Sequence, residues 1–454
     1  MMGLFTTLSS ASRALEAQQY GLEITGQNIA NLNTEGYARR SPILVESSAG
    51  SGGGVEAAGL AAARDQFVET RLRSELPAQA SDGAIADALA VVQTSLGDAG
   101  RSIDGSLTAF FDAFASLAQN PLSPVARDGV VLQGGLVAAS FNEMAARLDE
   151  SRTAADDQVR AAVNQVNTLA SQIARLNAQI GGAGGADVEA LEDSLGVAIR
   201  QLSALAPVAV MAREGGGADV SIGAGRALVI GANPYALDVA SSGLPGFATI
   251  AAGGSDVTAE LSSGTIGGLL RVRDTLVPGY QSQLDRLASD FASAVNAAHG
   301  AGFDGNGAAG QDFFTPPGAV AGAAAALAMN PAIAADPALV AASGTGAAGD
   351  NQAATAIAQL RDATAAGGGQ ATFAEAWSQL VYHVATDARR AQSDRQGRTA
   401  VVEAIQRLRD SVSGVSLDQE AGLMLRYQRA YEANAKFFGI VNGTLDTLLG
   451  LVRG

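Results

Sequence analysis

Reactive side chains are scarce in this chain of 454 residues. It has no cysteine, only two histidines (His299 and His383) and a single lysine, Lys436. The absence of cysteine excludes disulfides, thiol catalysis and thiolate metal sites. Two histidines are too few for a multi-histidine metal site within one chain, and the position of the single lysine excludes a phosphate-binding P-loop. Serine-nucleophile and zinc-protease motifs of the G-x-S-x-G and H-E-x-x-H types are also missing. We predict a protein that is not an enzyme and that carries no cofactor and no metal.

Two short motifs come nearest to chemistry. Residues 344–349 match G-x-G-x-x-G, but they lie in a Gly/Ala-rich segment, whereas a dinucleotide site needs a strand before the motif and a helix after it. Asp304 and Asn306 resemble the start of a calcium loop, but Ala309 and Thr315 stand where that loop needs Gly and Glu. We interpret the first motif as a linker and the second as a turn stabilised by Asp and Asn side chains.

The charge balance excludes further classes of partner. The chain has 29 basic and 45 acidic residues, a net charge of −16 and a pI near 4.6. Nucleic acid and anionic membrane surfaces both require a basic surface, so we expect no nucleic-acid partner. The longest apolar stretch, at residues 319–329, is shorter than the roughly 20 residues of a spanning helix, which predicts no membrane insertion. The N-terminus lacks the pattern of a cleavable secretory signal.

Both ends of the chain predict long amphipathic helices, because apolar residues recur there at intervals of seven. The N-terminal seam consists of Leu8, Leu15, Leu22 and Ile29. The C-terminal seam consists of Leu417, Met424, Tyr431, Phe438, Leu445 and Val452.

The middle of the chain combines a helical and a β-rich pattern. Apolar heptads over residues 148–180 predict either a coiled coil or a core-facing helix of a bundle. Between residues 205 and 261 the apolar period changes to two, in short Gly-punctuated segments that predict antiparallel strands. These segments are residues 208–211, 219–222, 227–230, 237–239 and 257–261.

The segment NIANLNTEGY, residues 28–37, resembles the N-terminal signature of the axial proteins of the bacterial flagellum, a family of rod, hook and hook-associated proteins. The matching positions are Asn28, Asn31, Thr34, Gly36 and Tyr37. A C-terminal signature also resembles that of the family, at Gln428, Ala430, Tyr431, Ala433, Ala435 and Lys436.

Segments in the interior of the sequence narrow the resemblance to one branch of this family. Residues 264–314, with Gly349-Asp350-Asn351 and residues 411–416, are similar to the hook-associated branch of the family. The resemblance implies a structural adaptor that joins the hook to the filament and templates the next junction protein and flagellin. Another axial protein, such as hook or distal rod protein, is the alternative. A soluble adhesin or coiled-coil scaffold, and a nucleotide-dependent enzyme acting through residues 344–349, are rivals from other classes.

The expected fold is mainly α with a β-rich insertion: paired long coiled-coil-like terminal helices, a helical shell and a small antiparallel β outer domain. Residues 1–46 and 414–454 would form inner-tube helices, residues 47–204 and 262–413 a helical rod-like domain, and residues 205–261 the β-rich outer domain.

The resemblance also implies where the protein acts and what it binds. It implies export through the flagellar channel without signal cleavage, to an extracellular site at the hook–filament junction. The implied partners are other copies of this chain in a ring-like homo-oligomer, hook protein, hook-associated protein 3 and, before secretion, an export chaperone. The expected assembly interface consists of Leu8, Leu15, Leu22 and Ile29 with Met424, Tyr431, Phe438 and Leu445.

Overall fold

The computed structural model describes residues 2–46, 53–96, 102–184, 186–241 and 246–453. Helices dominate, and side-chain caps define several of their starts. The Ser123 hydroxyl accepts from the Ala126 amide before α4, and Thr372 and Glu375 form a capping box at α11. The helices are α1 (Met2–Ala30), α2 (Gln66–Leu96), α3 (Ile103–Gln119), α4 (Pro124–Gly182), α5 (Ala186–Leu205), α6 (Gly264–Arg271), α7 (Val277–Gly300), α8 (Ala323–Ala326), α9 (Pro331–Ala335), α10 (Gln352–Gln359), α11 (Phe373–Ser413) and α12 (Leu417–Arg453).

The strands form three small antiparallel sheets, ordered β1-β2, β3-β4-β5-β6 and β7-β8-β9. The first is a hairpin that follows α1, and the other two lie between α5 and α6. The strands are β1 (Arg40–Glu46), β2 (Val55–Ala62), β3 (Val208–Ala212), β4 (Ala218–Ile222), β5 (Arg226–Ile230), β6 (Asn233–Pro234), β7 (Leu237–Ser241), β8 (Ala248–Ala252) and β9 (Ser255–Asp256).

The expected fold class is confirmed, but several strands differ from the sequence prediction, including the two-residue strands β6 and β9, which were not predicted. Residues 257–261 contain a 3₁₀ turn, Thr258–Glu260, in place of a strand. The Asp256 carboxylate accepts from the Thr258 amide at 2.8 Å and bends the chain there. Strands β2 and β8 were missed because both are rich in alanine, which has low β propensity.

Two large apolar cores account for the middle of the molecule. The first joins α3, α7 and the N-terminal half of α4 around a phenylalanine cluster, in which the Phe110 and Phe291 rings lie 5.4 Å apart. The second joins the remainder of α4 to α5, α6 and the sheets β3–β9. The heptads at residues 148–180 therefore pack into these mixed cores, as the bundle alternative predicts. A small third cluster, around Leu72 and Val402, joins α2 to α11.

Candidate functional site

Helices α1 and α12 pack along each other, and the β1–β2 hairpin covers a further side of α1. The four expected α1 residues, Leu8, Leu15, Leu22 and Ile29, are each partly buried. The fully buried positions lie on the adjoining ridges and, apart from Ile24, are smaller or polar. They are Ala11, Ala17, Gly21, Ile24, Thr25 and Asn28.

Gly21 explains why small residues lie at this contact. A Cβ atom built on Gly21 would lie 2.5 Å from Cε1 of Tyr427, so the Tyr427 ring lies directly against the backbone of α1. The leucine seam of α1 consequently flanks the contact between the helices. Sequence analysis missed both residues, although Tyr427 lies four residues before the predicted Tyr431 and therefore on a neighbouring ridge.

The expected residues of α12 differ in their exposure. Leu445 is buried, Met424 and Phe438 are partly buried, and Tyr431 is 38% exposed. The side chain of Val452 lies outside the described residues. A single subunit thus covers part of this seam and leaves the rest open to solvent.

A second apolar face of α12 is exposed. Ile440 is 67% and Leu451 74% exposed, although both lie on a helix whose other side packs on α1. Soluble monomers rarely expose a contiguous apolar stripe, which is typical of an interaction surface. We call this stripe the outer face of α12. It consists of Leu425, Phe437, Ile440, Leu448 and Leu451, whereas Leu417, which is 52% exposed, belongs to the heptad seam.

Asn28, the first residue of the signature, holds the base of the terminal helix pair. Its side-chain amide donates to the Arg40 carbonyl at 2.9 Å and to Glu420 Oε2 at 3.0 Å. Its Oδ1 accepts from the Tyr37 hydroxyl at 2.8 Å and from the Arg40 amide at 3.0 Å. All four hydrogen-bonding positions of this buried amide are therefore satisfied, which fixes α1, the following turn and α12 together.

The remaining signature residues shape the turn between α1 and β1. The Asn31 amide donates to the Gln27 carbonyl at 2.9 Å, and Asn31 Oδ1 accepts from the Thr34 hydroxyl at 3.1 Å. Gly36 has φ 83°, a left-handed conformation that favours glycine. A Cβ there would also lie 2.3 Å from Cγ2 of Val197 on α5, so no larger residue fits without displacement.

Glu420 is the main functional candidate that sequence analysis missed. Its carboxylate is fully buried and accepts from Arg39 Nε at 2.7 Å as well as from Asn28. Such charge-assisted bonds are strong, and removing one partner would leave a buried charge unpaired. A signal for it exists in the sequence: Glu420 lies seven residues before Tyr427, so an acidic group stands on an inward-facing ridge.

Ion pairs extend this junction to the helical domain. Arg40 Nη2 contacts Asp193 of α5 at 3.0 Å, and Arg64 Nη2 contacts the same carboxylate at 2.7 Å. The Arg40 guanidinium also lies over the Tyr37 ring, 4.8 Å from its centroid. Burial raises the pKa of the Tyr37 phenol, against the opposing charge of Arg40, so its hydroxyl remains a donor to Asn28.

The two chemistry-like motifs have structural roles. Asp350 Oδ2 accepts from the Gly344 and Thr345 amides, so backbone groups that a phosphate would need are already engaged. Asp304 Oδ1 accepts from the Asn306 and Ala308 amides, each at 2.8 Å, which closes a turn. Within the described ranges there is no acidic or histidine cluster suited to a metal ion, and none of the described helices could span a membrane.

Comparisons with known protein families identify the class of protein that carries these terminal segments. Residues 8–37 match the family model for flagella basal body rod protein, and residues 409–451 match the model for the C-terminal part of flagellar basal body rod FlgEFG proteins. These segments contain the signature turn and most of α1 and α12. The fold and its terminal signatures thus define an axial structural protein of the bacterial flagellum.

The interior matches a more specific family. Residues 89–314 match the model for the flagellar hook-associated protein FlgK helical domain. Flagellar hook-associated protein 1 of Escherichia coli K12 is 26% identical across 98% of this chain and 99% of its own length, and that of Bacillus subtilis 168 is 27% identical across 99% and 98%. The chain belongs to the flagellar hook-associated protein 1 family, whose members are structural components and not enzymes.

A solved structure shows the same fold. The flagellar hook junction protein FlgK from Burkholderia pseudomallei superimposes with a TM-score of 0.67 at 18% identity, over 76% of this chain and 100% of that chain.

Proposed function

We propose that this protein joins the flagellar hook to the filament as a ring-like homo-oligomer, and that its exposed surface templates hook-associated protein 3 and then flagellin. The outer face of α12 is the observation that carries the proposal. One side of α12 packs on α1 within the subunit, whereas Ile440 and Leu451 on the other are mostly exposed. An apolar face of this kind is stabilised when neighbouring subunits bury it.

The arrangement of elements supports the proposed roles of the segments. Residues 1–46 and 414–454 would form the inner tube, residues 47–204 and 262–413 the surrounding rod-like domain, and residues 205–261 the exposed β-rich domain. The Asn28–Glu420 hydrogen bond supports this division, because it couples the two terminal helices at their common base. The assembly interface would combine Leu8, Leu15, Leu22 and Ile29 with Met424, Tyr431, Phe438, Leu445 and the outer face.

The proposed location is extracellular, at the hook–filament junction, after export without signal cleavage. Hook protein would contact one side of the ring and hook-associated protein 3 the other, and an export chaperone would cover the apolar terminal helices before secretion. The exposed apolar side chains on α12 support a need for such cover.

Electron microscopy of a deletion strain tests the function. We expect hooks of normal length, no filaments, and flagellin released into the medium. A strain that lacked hooks as well would instead indicate a rod or hook protein.

Complementation with outer-face variants tests the interface. Ile440→Asp should leave the thermal melt of the monomer unchanged, because the side chain is 67% exposed, yet fail to restore filaments. Asn442→Asp introduces the same charge at a polar exposed position nearby and should restore them. Full filament counts with Ile440→Asp would exclude the outer face from the assembly interface.

A further inference from the structure

A cavity of about 500 Å³ lies where the signature turn meets α2, α5, α11 and strands β3 and β4. It is separate from the outer face of α12. Although the chain has a net charge of −16, basic side chains outnumber acidic ones in the wall of this cavity. The charged lining residues are Arg64, Arg73, Arg200, Arg213 and Arg409 with Glu69, Glu192 and Asp193.

Some of these arginines already have close carboxylate partners. Arg64 contacts Glu192 at 2.6 Å and Asp193 at 2.7 Å. Arg213 contacts Asp219, just outside the lining, at 2.8 Å. Their charges are therefore neutralised within the chain.

The other three arginines are incompletely neutralised. Arg200 Nη1 lies 3.4 Å from Glu69 Oε2, and Arg409 Nε lies 3.7 Å from Glu69 Oε1. Both separations are longer than the roughly 2.7–2.9 Å of a strong charge-assisted hydrogen bond. Arg409 also lies 3.7 Å from Asp410, a mostly exposed side chain. Arg73 donates to the Thr70 hydroxyl and forms no ion pair with any residue that the structure describes.

In Arg200 a single buried atom, Nη2, lacks a hydrogen-bond partner among the described residues. The Arg200 side chain as a whole is only 13% exposed. An unsatisfied buried donor is costly, and a charged one more so. Burial lowers the pKa of Arg200, against the effect of Glu69, and the neighbouring charge of Arg409 lowers it further. A Cβ on Gly36 would lie 3.2 Å from Nη2, so the signature turn borders the same group.

We propose that this cavity is an oxyanion site, in which a carboxylate or phosphate group binds Arg200 together with Arg73 and Arg409. Guanidinium groups present planar, paired donors that match both anions. A bound oxyanion would accept a hydrogen bond from Arg200 Nη2 and balance the positive charge that the neighbouring carboxylates leave on these arginines. The group has two possible sources: a free anion in solution, or an acidic side chain of another protein chain.

Isothermal titration calorimetry of the full-length chain, at constant ionic strength set with NaCl, tests the proposal and separates the sources. One arm uses inorganic phosphate and the other a capped Glu-Glu-Glu peptide. We expect saturable binding in at least one arm, weakened at least about tenfold by Arg200→Gln, since that variant loses charge-assisted hydrogen bonds. Binding of phosphate alone identifies a free-anion site, whereas binding of the peptide identifies an acidic side chain as the ligand.

Two further variants keep the result interpretable. Arg395→Gln removes an exposed arginine that pairs with Asp87 outside the cavity, and should bind like the original chain. Arg73 also lines the cavity and is partly buried, and its recorded hydrogen bond is to the exposed Thr70 hydroxyl, so Arg73→Gln should fold normally and still weaken binding several-fold. Absence of saturable binding in both arms would overturn the proposal, as would binding that none of the cavity variants weakens.

Discussion

Gly21 is the position at which the absence of a side chain matters most to the terminal helix pair. We expect Gly21→Ala to destabilise the α1–α12 contact by about 1–2 kcal/mol. The added methyl group would lie 2.5 Å from the Tyr427 ring, and overpacking of this kind costs roughly 1–3 kcal/mol. The gain in helix propensity, at most about 1 kcal/mol, offsets only part of it. Thermal melting of the purified chain, followed by circular dichroism, measures the effect.

Gly26 provides the matched control on the same helix. A Cβ on Gly26 meets no atom within 4 Å, so Gly26→Ala should gain the helix propensity and melt at the same or a higher temperature. Equal effects of the two substitutions would show that the Tyr427 ring does not constrain α1.

His299 should make stability depend on pH. It is fully buried, its Nδ1 lies 2.6 Å from the Gln311 carbonyl, and its Nε2 accepts from the Ala341 amide at 2.9 Å. Burial lowers the pKa of His299. The unfolded chain therefore binds a proton before the folded chain does, and stability is lost as the pH falls through about 6.5, the ordinary histidine value.

Urea denaturation between pH 7.5 and 5.5 tests this sign. The original chain should lose stability toward pH 5.5, and His299→Gln should flatten that dependence even if it lowers stability overall. His383→Gln, at the exposed face of α11, is the control and should keep the original slope. A slope unchanged by His299→Gln would contradict the prediction.

Individual residues differ in how far the sequence reveals them. Asn28 and Gly36 could be predicted, because the short signature contains both ends of the turn they form. Glu420 and Arg39 could not be paired from the sequence, since 381 positions separate them and only the fold brings them together. A charge on an apolar ridge signals a buried partner without identifying it.

At the scale of elements, α12 has two apolar surfaces, and a heptad pattern describes only one of them. The sevenfold spacing predicted the helix and the seam from Met424 to Leu445. It did not predict the outer face, because Phe437 and Ile440 fall between the heptad positions. The alanine-rich strands β2 and β8 were also not predicted. Their sequences lack the alternation of apolar and polar residues that indicates a strand.

Phe438→Asp tests the seam of α12. Phe438 is partly buried on the ridge that continues to buried Leu445, and burying an unpaired carboxylate there should cost several kcal/mol. We expect loss of incorporation into flagella with the middle of the protein still folded, because neither large core contains a residue of α12. Circular dichroism of the purified variant and filament counts in a complemented deletion strain measure the two effects.

Glu432→Ala is the control for this helix. Glu432 is exposed, one residue beyond Tyr431, and its loss should be close to neutral in both measurements. Normal filaments on Phe438→Asp cells would show that the seam does not contribute to assembly. Unfolding of the whole chain would show that the terminal pair and the cores are a single cooperative unit.

At the scale of the molecule, the terminal helix pair and the cores are separate packing units joined at a polar junction. The three apolar clusters draw on residues from Val68 to Ile405, and none belongs to α1 or α12. The junction instead uses Asn28, Glu420 and the arginines that reach Asp193. Polar contacts of this kind fix orientation more than they add stability. We therefore expect the helix pair to be the part of the monomer that opens most easily.

Limited proteolysis of the purified monomer tests this division. Cleavage should occur before Asn33 and after Leu417, while the region between resists, because local opening is cheapest where few apolar contacts are broken. Glu420→Gln, which removes the charge that Arg39 contacts, should speed terminal cleavage without changing the resistant fragment. Mass spectrometry of the fragments, with light scattering to verify the monomer, gives the readout. Termini that stayed intact in a verified monomer would mean that α1 and α12 are stable without neighbouring subunits. The claim that the outer face of α12 must be covered for these helices to be stable would then be wrong.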